Sequence, residues 1–86
     1  MPEIARFYGI IIRMYFQDHN PPHFHAEYQG MTAEYDIRNL DLLAGKLSNR
    51  AHALVLEWSS LHKEELMANW EQAIIPAKME KIKPLK

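Results

Sequence analysis

The feature that most constrains this chain is a pair of alternating runs on either side of Gln29-Gly30. Before the dipeptide, Phe24, Ala26 and Tyr28 alternate with His23, His25 and Glu27. After it, Met31, Ala33, Tyr35 and Ile37 alternate with Thr32, Glu34 and Asp36. A period of two is the period of a strand with one buried and one wet face. Gln-Gly between two such runs predicts a two-residue hairpin turn, because glycine reaches positive φ at no steric cost. A one-residue slip would turn every apolar side chain to the wrong face, so turn and pattern together predict one register. In it His25 faces Glu34, His23 faces Asp36 and Phe24 faces Tyr35.

The same alternation precedes the hairpin. Residues 9–17 read as a strand, with Ile10, Ile12, Met14 and Phe16 on the apolar side. Asp18-His19-Asn20-Pro21-Pro22 interrupts it, since two prolines cannot donate to a ladder. If that loop closes a second hairpin, Gln17 faces His23, Tyr15 faces His25 and Arg13 faces Glu27. A short fourth strand is expected within 40–46. Ser48 then suits a helix N-cap, and a helical region is expected over 49–74. Ala51, Leu54, Val55, Trp58 and Leu61 form one stripe. Leu66, Trp70 and Ile74 continue it rotated about the axis, so the region is one bent helix or two, ended by Pro76. The expectation is an α+β fold: an antiparallel meander of three to four strands with a C-terminal helix or helix pair packed on one face. One domain is expected over 1–75, followed by an extended tail over 76–86. Phe16, Phe24, Tyr35, Leu54 and Trp58 are expected to share the core.

Composition narrows the function classes. The chain has 86 residues, and a domain of this size buries only about 60% of its unfolded surface. Small domains often gain stability from a disulfide, a metal or a partner. There is no cysteine, so disulfides and thiolate metal sites are excluded, and a reducing cytoplasmic setting is expected. Ile10-Ile11-Ile12 is far short of the roughly 20 apolar residues of a membrane-spanning helix. The opening residues lack the basic-then-apolar shape of a signal peptide. Ten basic against 11 acidic residues give a net charge of −1, so binding nucleic acid would require a local site rather than bulk electrostatics.

The predicted polar face gathers Arg13, Tyr15, His23, His25, Glu27, Glu34 and Asp36. Three readings follow. In the first it is a solvated face with cross-strand ion pairs worth about 0.2–1 kcal/mol each, the simplest account of Arg13 and Glu27. In the second it is an acid–base site for phosphodiester cleavage, with His23, His25, Glu34, Arg13 and Tyr15 as catalytic candidates. A carboxylate beside histidine tunes its proton transfer, and Arg13 would stabilise a phosphorane. In the third it binds a divalent metal such as zinc. Histidines two apart on a strand project together, and His19 and Asp36 would complete His23 and His25. His62 reads as partly buried core, Trp58 and Trp70 as core, and Glu64-Glu65 as a solvated helix face.

The segment Asp18-His19-Asn20-Pro21-Pro22-His23-Phe24-His25, with Tyr28, resembles the signature of a bacterial family, domain of unknown function 4160. The resemblance continues through Gly45-Lys46-Leu47, Glu57-Trp58, His62, Glu64-Glu65-Leu66 and Trp70. It implies a companion protein of another small family, domain of unknown function 2442, encoded nearby. It also implies a toxin–antitoxin-like module with this chain as the toxin. It implies no catalytic residue or cofactor. Lys81-Ile82-Lys83-Pro84-Leu85 resembles the opening of the companion family's first strand. The tail is therefore expected to add to a sheet, in its own chain or a partner. A non-catalytic adaptor that binds its partner or itself through a sheet edge is the other expectation.

Overall fold

The computed structural model describes residues 3–15, 18–72 and 80–86. Five antiparallel strands lie in sequence order: β1 (Glu3–Phe7), β2 (Ile10–Arg13), β3 (His23–Tyr28), β4 (Met31–Asp36) and β5 (Leu42–Gly45). Two helices follow, α1 (Asn49–Leu61) and α2 (Lys63–Gln72). The α+β class and the helix pair match expectation; the strand count is five, not three to four.

β1 is the strand that periodicity did not reveal. A register shift between Glu3 and Ala5 breaks its alternation, so Ile4 and Ala5 are both buried. Tyr8-Gly9 joins β1 to β2 with the same positive-φ pair that Gln29-Gly30 uses between β3 and β4. The β3–β4 register is the predicted one, from Tyr28↔Met31 to His23↔Asp36. The β2–β3 register differs. Arg13, not Tyr15, lies opposite His25, and Ile11 lies opposite Glu27. A two-residue shift leaves every side chain on its own face, so alternation cannot distinguish the two pairings.

The helices cover the apolar face. Trp58 is fully buried, its ring 5.3 Å from Phe7 and 6.0 Å from Phe24, and Phe24 stacks on Tyr35 at 5.5 Å. Leu54 packs at the margin of this core; Phe16, expected there, lies outside the described residues, as does Ile74. Leu61, placed in the buried stripe by its spacing, is instead 66% exposed because α1 ends there. Three local features accompany that break. The Ser59 and Ser60 hydroxyls donate back to the Val55 and Glu57 carbonyls, and the His62 N–H closes a tighter bond to Ser59 O. α2 then begins with Glu64 and Glu65 in its first turn, where negative charge suits the helix N-terminus.

The tail serves its own chain. Ile82 N–H donates to Ile4 O on the β1 edge at 2.7 Å, and Trp58 Nε1–H donates to Lys83 O at 2.8 Å. The buried Asn69 amide both donates to Glu80 O and accepts from Glu80 N–H. Residues 76–79 of the expected tail lie outside the described residues.

Candidate metal centre

His23 and His25 project from β3 on the face opposite the Trp58 core, and the 18–22 loop folds back over them. His23 is not on a wet face as the alternation suggests: it is 1% exposed. The rings of Trp70, His19 and His25 lie 5.2, 5.1 and 5.1 Å away. Its Nδ1 is 2.7 Å from Pro21 O. A carbonyl oxygen only accepts, so Nδ1 carries the hydrogen and, in the neutral ring, Nε2 presents a lone pair.

That lone pair meets carboxylate oxygens. Asp18 Oδ2 lies 3.0 Å from His23 Nε2 and 3.2 Å from His25 Nε2, and Glu34 Oε1 lies 3.5 Å from His23 Nε2. Nε2 of His23 is nonetheless the one buried side-chain polar atom, among the described residues, without a hydrogen-bond partner. A ring nitrogen this close to a carboxylate oxygen, with no hydrogen bond joining them, is a place where a proton or a metal cation can bridge the two. Ligand atoms held about 2.0–2.2 Å from zinc, at angles between octahedral and tetrahedral, lie roughly 3–3.6 Å apart. The three separations fall in that range.

Asp18 is held in place. Its Oδ1 accepts the His19 N–H at 2.9 Å and lies 3.0 Å from His19 Nδ1, leaving Oδ2 to face the two imidazoles. Burial alone would push the Asp18 carboxyl up. The His19 backbone N–H, the His25 hydrogen bond and the neighbouring His23 and His19 outweigh it and hold the group below its ordinary range. Asp18, His23 and His25 thus converge as two imidazoles and a carboxylate, and His19, His23 and Glu34 form a second group sharing His23.

The remaining candidates are placed differently. Asp36 pairs with His23 in register, but its Oδ1 accepts the Arg38 and Asn39 N–H groups and organises the turn into β5. It belongs to neither group of ligands. Arg13 Nε is bonded to Glu27 Oε2 at 2.6 Å. The Tyr15 ring stands edge-on to His25 at 4.4 Å. A hollow of about 60 Å³ opens beside His25 and Glu34, walled by Thr32, Ala44 and Gly45. It has room for a water or a small group, so anything larger would lie across the open sheet face. Asp18 is the member of the cluster that the sequence reading did not single out. It stands at the head of the His- and Pro-rich segment, where the prolines signal only a strand-breaking loop.

Fold and site define a class: α+β chains with a five-stranded antiparallel meander and a histidine–carboxylate cluster gathered around buried His23, at the start of β3 where Trp70 of α2 reaches its ring. Within that class the chain belongs to the family described as domain of unknown function DUF4160, which matches residues 9–71. The matched stretch contains every ligand candidate; β1 and the tail that docks on it lie outside. No curated protein and no solved structure matches the chain. No helix among the described residues is long and apolar enough to cross a membrane.

Proposed function

We propose that this chain is a divalent-metal-binding domain in which Asp18, His23 and His25 hold one zinc-class ion with positions left open to water. The observation that carries this reading is the buried, unpartnered Nε2 of His23, 3.0 Å from Asp18 Oδ2. Two features of the surroundings support it. The Nδ1–H to Pro21 O bond is the outer-shell contact that orients a ligating histidine. Three protein ligands are also the number that catalytic zinc sites use.

Such an ion makes bound water a nucleophile near neutral pH. The toxin-like expectation meets the site here. Held by Asp18, His23 and His25, such an ion would supply the activated water for phosphodiester hydrolysis, while the buried His23 ring would serve to hold the ion and not as a free acid or base.

Thermal melts of chelator-treated protein with and without zinc test the proposal. An ion at about 100 times its dissociation constant stabilises by about 2.7 kcal/mol. For a domain of this size that raises Tm by roughly 10–20 °C. His25→Ala and Asp18→Ala should lose the rise. If zinc leaves the wild-type melt unmoved, the metal reading is wrong.

A further inference from the structure

We propose that two copies of this chain pair edge to edge and antiparallel through β5, with Asp41 of each copy against the partner's Lys46. The sheet has two edges. The β1 edge receives the chain's own tail through the Ile82–Ile4 backbone bond. β5 is the other, and among the described residues nothing pairs with its outer side. An uncovered edge is a template for another strand. This one carries little that would repel a partner: Leu42 and Leu43, each 43% exposed, are two of the four large hydrophobic residues exposed among the described residues.

The occupant follows from the strand's own ends. β5 is preceded by Asp41 and followed by Lys46. Antiparallel self-pairing brings each strand's beginning against the other's end, so unlike charges meet at both ends. In a regular strand residues five apart fall on opposite faces, and a two-fold pairing could not match them. Here the register runs Tyr35↔Leu42 and Glu34↔Ala44, so Leu43 is an extra residue. That irregularity returns Asp41 and Lys46 to one face. Asp36 N–H donates to Asp41 O and Lys46 N–H to Thr32 O, which places both opposite residues of the metal-site face. The same pairing sets Leu42 across from the partner's Gly45, where no side chain stands in its way.

A four-residue edge makes a small interface, below roughly 1,200 Å², and so a weak dimer studied at about 0.1–1 mM. Sedimentation equilibrium in chelator, which separates this question from the metal site, should show wild type dimerising. Asp41→Lys and Lys46→Asp each convert both end pairs to like charges. Each should raise the dimer dissociation constant at least about tenfold. An equimolar mixture of the two variants restores both unlike pairs and should dimerise as wild type does. That recovery also shows that neither variant has failed to fold. A monomeric wild type, single variants that dimerise normally, or a mixture that stays monomeric would each overturn the proposal.

Discussion

His23 donates its Nδ1–H to the carbonyl oxygen of Pro21, two residues upstream, at 2.7 Å, and this bond aims Nε2 at Asp18. The proline loop therefore brings the missing carboxylate to the histidines and also fixes which ring nitrogen faces it. Metal affinity should depend on the loop carboxylate and be indifferent to the strand carboxylate that lies directly across the ladder.

Asp18 and Asp36 separate the two roles. Asp36→Ala removes an 8%-exposed acceptor of two backbone N–H groups. It should cost about 1–3 kcal/mol of stability. Its zinc-induced rise in Tm should match that of wild type. Asp18→Ala should show the converse, a small change in the metal-free melt and no zinc response. Paired urea titrations and zinc melts of both variants measure this directly.

The pairing of His25 with Glu34 was legible because the Gln29-Gly30 turn and two unbroken alternations agree. The same rule misled at three places. Asp36 stands in register with His23 yet spends its carboxyl group on its own turn, and register does not report where a side chain bonds. Arg13 stands opposite His25 where Tyr15 was expected, because a shift of two keeps both on one face. β1 was hidden by its irregularity, which puts Ile4 and Ala5 both inside. Asp18 was missed for a different reason: alternation is silent about how a proline loop folds over a neighbouring strand.

Trp58 joins the core to the tail. Trp58→Ala should cost about 3–5 kcal/mol and leave the domain largely unfolded. Trp58→Phe keeps most of the aromatic packing but deletes the Nε1–H to Lys83 O bond. It should cost about 0.5–1.5 kcal/mol for that bond, with some further loss of packing. Faster hydrogen exchange should be concentrated at the Ile82 amide. Normal Ile82 protection in Trp58→Phe would show that the tail docks without this anchor.

Tyr35 gives the fold an alkaline limit. Burial raises its phenol above the ordinary 10.0, and its hydroxyl pairs with His52 Nδ1 at 2.9 Å. The folded state keeps the phenol neutral where the unfolded chain has begun to ionise. This contribution is therefore complete below about pH 10 and is lost as pH rises through the folded value. Tyr35→Phe should be less stable than wild type at neutral pH by about 0.5–1.5 kcal/mol, the worth of one hydrogen bond. The gap should narrow in denaturant melts taken above pH 10. A constant gap would contradict the burial argument.

The most direct measurement is long-range proton–nitrogen NMR of the five histidine rings, recorded in chelator and then with one equivalent of zinc. The account predicts that Nε2 of His23 and His25 moves to metal-bound shifts. Nδ1 of His23 should keep its proton against Pro21, and the rings of His52 and His62 should be unchanged. Zinc that leaves His23 Nε2 where it was, or that shifts His52 or His62 instead, would contradict it.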